Sequence, residues 1–176
     1  MATSKKTLKL RGRSLPDIVT ISGLVQDALI APSEMTVEAD KRRFVAILNR
    51  FMWERVDSDP TQQTNDTDSQ DARFEEASDG RYWRVQSALV IERANNVRRK
   101  NMEPQRSKSA LGGQALHYLL GIVPDDGFVT LFFAGGGMIR VEGPALEVFL
   151  EDLSEPWPTP QMPVHPDPEE ALDQNE

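Results

Sequence analysis

Cysteine is absent from this chain of 176 residues, and histidine occurs only at His117 and His165. Without a thiol there is no disulfide, no cysteine nucleophile and no thiolate metal site. Two histidines far apart in the chain do not supply the His/Cys clusters that hold zinc. No run of about eighteen apolar residues occurs, which excludes a membrane-spanning helix. The opening MATSKKTLKLRGRS is basic but has no apolar core or small-residue cleavage site, so no secretory signal is expected. A reducing, cytoplasmic setting fits these absences.

The charge is informative through its distribution. The net charge is −8, yet residues 57–80 hold eight acids against Arg73 alone, and residues 151–176 hold eight acids and no Lys or Arg. Setting those two segments aside leaves +7 on the remainder. A basic body with acidic appendages bears on association and solubility, not on fold. Residues 57–80, DSDPTQQTNDTDSQDARFEEASDG, carry one aromatic and no periodicity. Burial there does not offset an ordering cost of about 1–2 kcal/mol per residue, so the segment is expected to be a disordered insertion. Asp66, Asp68 and Asp71 hint at a calcium loop, but the glycine and final glutamate that such a loop needs are missing. The expected organisation is one domain over residues 1–153, interrupted by that insertion, and an acidic proline-rich tail over residues 154–176.

Within the body, Leu8 to Arg11 predicts a first strand. Ser14, Pro16 and Asp17 then read as a helix start with cap, early proline and acidic third residue. Ile18, Ile21, Val25, Ala28 and Leu29 follow at helical spacing, with Pro32 as the stop. Residues 35–39 and 44–53 predict a hairpin, and Val85, Leu89 and Ile91 line one side of a later strand. Residues 115–123, ALHYLLGIV, fit a helix or a buried strand by periodicity; the flanking Gly113 and the turn at residues 124–127 favour the strand.

Three glycines sit in FVTLFFAGGGMIRVEG, residues 128–143. Val129, Leu131 and Phe133 share one face, and past the glycines Ile139 and Val141 point in while Arg140 and Glu142 point out. Period two on both flanks makes the triplet a hairpin turn, in which Gly135 and Gly136 take positive φ. A phosphate loop needs a Lys and Ser/Thr after its last glycine and a helix beginning there; Met138 and Ile139 follow in strand register instead. Gly143-Pro144 is expected to open a closing helix carrying Leu146, Phe149, Leu150 and Leu153 on one stripe. The fold class that results is α+β: a single antiparallel meander or rolled sheet, an N-terminal helix after the first strand, and a C-terminal capping helix in the manner of pleckstrin-homology-like folds.

No catalytic, cofactor-binding or metal-binding residue emerges. His117 lies in an apolar run and reads as a packed core histidine. The basic residues are more suggestive: Arg42, Arg43, Arg84, Arg98, Arg99 and Lys100, with Phe51, Trp53, Tyr82 and Trp83 among them, are what a polyanion or partner surface needs. The opposing reading is that strand lysines and arginines discourage edge pairing and the aromatics are core. In the tail, Trp157 either folds back onto the body or anchors a partner that reads the P-x-x-P spacing.

LNRFMWE at residues 48–54, LFFAGGGMIRVE at 131–142 and EPWPTP…HPD at 155–167 resemble a small alphaproteobacterial family of domains of unknown function, number 2948. The resemblance spans about residues 8–167 and implies no activity, cofactor or partner. The functional expectation is a non-enzymatic interaction or adaptor domain that meets a protein partner. The alternatives are RNA or polyanion binding through a basic sheet face screened by the acidic segments, and an enzyme of unrecognised type.

Overall fold

The structure, a computed structural model, describes residues 7–56, 82–102, 116–160 and 162–163. The insertion expected at residues 57–80, His165 and most of the acidic tail lie outside the described residues. The chain runs β1 (Lys9–Gly12), α1 (Leu15–Val25), β2 (Ala28–Ile30), a short 3-10 turn (Pro32–Glu34), β3 (Met35–Glu38), β4 (Arg43–Phe51), α2 (Trp53–Val56), β5 (Tyr82–Glu92), β6 (Asn96–Lys100), β7 (His117–Asp125), β8 (Phe128–Phe133), β9 (Gly137–Glu142), β10 (Glu147–Asp152) and β11 (Trp157–Thr159). Every strand pairing is antiparallel, in the order β1-β10-β5-β4-β2-β7-β8-β9-β6, with β3 on β4 and β11 on β5. Among the described residues, no helix is long and apolar enough to cross a membrane.

The helix start is as the sequence spells it. Ser14 accepts from the Asp17 amide and Asp17 accepts from the Ser14 amide, a reciprocal cap worth about 1 kcal/mol. Ile18, Ile21 and Val25 are buried, and α1 packs on β7, β1 and β4. The helix ends at Val25, seven residues before the proline expected to stop it. Asp27 takes φ +60 and donates its amide to the Leu119 carbonyl at 2.8 Å, so Ala28 and Leu29 leave the helix and join a strand. That strand, β2, is the bridge between β4 and β7.

The larger correction lies at the C-terminal end. The stripe Leu146, Phe149, Leu150 and Leu153 does not make a helix; residues 147–152 form β10, paired to β1 on one side and β5 on the other. Val148, Leu150 and Asp152 alternate inward there, and Leu153 is exposed. With β10 in the sheet, the segment expected to form the capping helix is a strand, and α1 is the only helix of more than one turn among the described residues.

Two bent ribbons organise the sheet. The chain passes from β5 to β6 through residues 93–95, and from β9 to β10 through residues 143–146. Because β5 pairs β10 and β6 pairs β9, the two bends face each other. Asn95 donates to the Glu142 carbonyl at 2.7 Å, and Arg93 donates to the Ala145 carbonyl at 3.2 Å. The bends let both halves of the sheet feed one core: Phe44, Leu89 and Leu150 from one, Leu131, Phe133 and Ile139 from the other, with Ile18, Ile21 and Val25 of α1 in the same cluster. The hairpin β8–β9 turns at residues 134–136 with Gly135 and Gly136 both at φ +79, so the glycine triplet is a turn, as read from period two.

Candidate interaction surface

Register sorts the outward side chains of β7, β8, β9 and β6 into rows. Val123, Thr130, Arg140 and Arg98 lie side by side, with Thr130 buried beneath its neighbours, and Gly121, Phe132, Met138 and Lys100 form the next row, with Met138 partly buried. Directly opposed antiparallel residues share a face, so one surface presents Val123, Phe132 and Met138 among Arg98, Lys100 and Arg140. Val123 is 52% exposed and Phe132 lies open to solvent. Arg140 lies over the Phe128 ring, its guanidinium carbon 4.1 Å from the centroid, a cation–π contact on the sheet face. Arg98 lies 3.2 Å from Glu142, which also accepts from Asn96. The strand β6 ends the sheet, and among the described residues none pairs its far edge.

The six basic residues singled out from sequence do not share one surface. Arg98, Arg99 and Lys100 are consecutive and exposed on β6, with Arg98 and Lys100 on the outer face and Arg99 on the other. Arg42, at φ +52 in the β3–β4 turn, reaches Asn95 just ahead of β6. Arg43 is engaged by Glu38 and lies 3.7 Å from Glu92. Arg84 is half-buried, donating to the Asn49 carbonyl at 3.1 Å and lying over the Phe51 ring at 5.7 Å.

The aromatics expected among these cations are mostly structural. Phe51 is buried, with Trp53 and Tyr82 packed on it at 4.6 and 5.8 Å. The Trp53 indole N–H donates to the Gln26 carbonyl at 3.0 Å. Trp157 folds back as β11, its backbone paired opposite Arg84, while its side chain stays partly exposed. The Leu153 amide donates to the Gln86 carbonyl and Ser154 accepts from the Gln86 amide, so the start of the tail carries on along β5 the pairing that β10 begins.

His117 is buried on β7, edge-on to Phe133 at 5.7 Å. Burial pushes its pKa below the ordinary 6.5, and the Arg99 charge pushes the same way. This is the packed core histidine the apolar run suggests. Arg50, one of the basic residues near the first hairpin, is fully buried instead of lying on the surface. It grips Asp152 through two bonds of 2.9 Å and Glu54 through bonds of 2.8 and 3.0 Å, while Ser87 donates to Asp152 at 2.7 Å. Burial alone lowers the Arg50 pKa, but the Asp152 and Glu54 bonds raise it further than burial lowers it. The network ties β4, α2, β5 and β10 together.

Sequence reading missed Val123, Phe132 and Met138 as surface partners of the β6 cations. Period two does place Phe132 and Arg140 on the outer face. Their alignment with Arg98 and Lys100 depends on the β6–β9 register, which no local pattern encodes. The family model described as a protein of unknown function, DUF2948, matches residues 8–165. The chain belongs to this family. No curated protein and no solved structure matches the chain.

Proposed function

We infer that this chain is an interaction domain that receives an extended, acidic segment of a protein partner along β6 and the outer face of β7–β8–β9. The observation that carries this reading is the β6 edge, which no described residue pairs, lying beside exposed Val123 and Phe132, partly exposed Met138 and the cations Arg98, Lys100 and Arg140. An edge strand offers main-chain donors and acceptors that an added strand completes, while the flanking side chains set specificity. Arg, Met and aromatic side chains are the types enriched in protein interfaces. The positive fringe selects an acidic segment and speeds its approach.

Charge pairs exposed in this way contribute about 0.2–1 kcal/mol each, so the complex is salt-sensitive and of moderate affinity. The cations of β6 also suit RNA, but Phe132 is the one aromatic exposed on that face among the described residues, while Phe51, Trp53 and Tyr82 pack on one another elsewhere, which favours the protein partner. The test is affinity capture from the native lysate with nuclease present, followed by titration of the purified partner against the chain. Charge reversal at Arg98→Glu with Lys100→Glu is expected to weaken binding tenfold or more. Unchanged affinity for the double variant sinks the reading. Capture abolished by nuclease, with a steep fall of affinity in salt, moves it to RNA.

A further inference from the structure

Where β1 hands over to α1, three arginines surround a single carboxylate. Glu147, the first residue of β10, is buried. Arg11 bonds Oε2 through Nε at 2.7 Å and through a second nitrogen. Arg93 lies 2.7 Å and Arg13 3.5 Å from Oε1. The three side chains are 45%, 51% and 59% exposed in the order Arg11, Arg93, Arg13. Each guanidinium has five N–H donors, far more than the one carboxylate they share absorbs. Arg13, with the longest contact and the greatest exposure, is the least committed of the three.

Beside this cluster lies a cavity of about 300 Å³, a size at the lower end for small-molecule sites. Arg13 lines it from the β1–α1 connection, Leu15 and Ile18 from α1, Leu146 from the bend, and Asp125 with Asp126 from the β7–β8 turn. The cavity therefore joins a cation, an apolar wall and a pair of carboxylates drawn from separate elements. A polyanion meets repulsion from Asp125 and Asp126. A plain fatty acid leaves those carboxylates without a counter-charge.

We propose that this cavity binds a small zwitterion with an apolar body, of the α-amino-acid type. The carboxylate of the ligand sits on Arg13, its ammonium faces Asp125 and Asp126, and its aliphatic portion covers Leu15, Ile18 and Leu146. The site shares Phe128 with the outer face, where that ring backs Arg140, but its test reads a free amino acid and not the partner, so the two readings fail separately.

The test is calorimetric titration of the full chain with L-leucine, N-acetyl-leucine and leucinamide, with circular dichroism as the check on folding. Saturable binding of leucine is expected, with the two capped ligands each about tenfold weaker or more, because each lacks one charged hydrogen bond. Arg13→Gln is expected to weaken leucine about tenfold, and Asp126→Asn severalfold; both side chains are exposed, so the fold tolerates them. The proposal is overturned by no binding at millimolar leucine or phenylalanine, by N-acetyl-leucine binding as tightly as leucine, or by an unaffected Arg13→Gln. The ligand series needs no variant, so a variant that fails to fold leaves the test intact.

Discussion

Arg50 and His117 show how one side chain carries opposite consequences when buried with and without a counter-charge. Arg50 is fully buried because Asp152 and Glu54 satisfy its guanidinium, and Ser87 donates in turn to Asp152. Removing one member of such a pair strands a buried charge, at about 3–5 kcal/mol. Arg50→Met is therefore expected to consume much of the 5–15 kcal/mol typical of a domain, as read by chemical denaturation. Adding Asp152→Leu should recover most of that loss; failure to recover would mean Asp152 is needed for more than neutralising Arg50. His117 has no carboxylate beside it in the pKa balance, only burial and Arg99, and both favour the neutral ring. Its folded pKa lies below the unfolded 6.5, so between those two values the unfolded chain binds the extra proton. Stability is then full above pH 6.5 and falls as pH drops toward the folded value, by up to about 1.4 kcal/mol per pH unit. His117→Gln should flatten the pH dependence of the denaturation midpoint in that window. An equal slope in wild type and variant would remove His117 as its source.

At the level of elements, glycine marks two sites with opposite expected responses to alanine. A Cβ on Gly143 would stand 2.1 Å from the Arg93 carbonyl oxygen and 2.9 Å from Leu146 Cδ2. The first contact is backbone, in the bend facing it, and cannot swing away. Gly143→Ala is expected to cost about 1–3 kcal/mol or more. Gly23, exposed on α1, meets nothing within 4 Å, so Gly23→Ala should stabilise by about 0.5–1 kcal/mol. Thermal unfolding of the two variants beside wild type checks both signs. The same bend explains what the sequence hid. Periods of two made β4, β5, β8 and β9 readable, and Ser14 with Asp17 announced α1. The β10 segment misled because its inward positions include Asp152, whose burial depends on Arg50 from a strand about a hundred residues earlier. Glu147 is buried by three arginines from β1, its exit and the β5–β6 bend. A helix-like apolar stripe remains once those two acids are counted as exposed. No local rule reveals their partners.

Across the whole molecule, carboxylates act as the fasteners of a body whose arginines are otherwise mutually repulsive. The Arg11 hydrogen bond, with the charges of Arg11, Arg13 and Arg93, holds Glu147 below the ordinary 4.5. Arg43 and Lys41 do the same for Glu38. The backbone amides of Arg13 and Ser14, with the Ser14 hydroxyl, hold Asp17 below 3.8. These three lie at the β1–α1 junction, the β3–β4 turn and the helix cap, so their protonation loosens three joints at once. Each has a folded pKa below its unfolded one. Their stabilisation is complete above about pH 4.5 and is lost as pH falls through the folded values. Protonation also leaves the arginines facing one another, which adds self-repulsion to the lost bonds. Acid unfolding is thus expected to begin below pH 4.5, and added salt should shift its midpoint downward by screening that repulsion. Glu147→Gln should be less stable than wild type at pH 7 and show a shallower acid slope. An acid slope identical to wild type would mean Glu147 does not fasten the three arginines that converge on it.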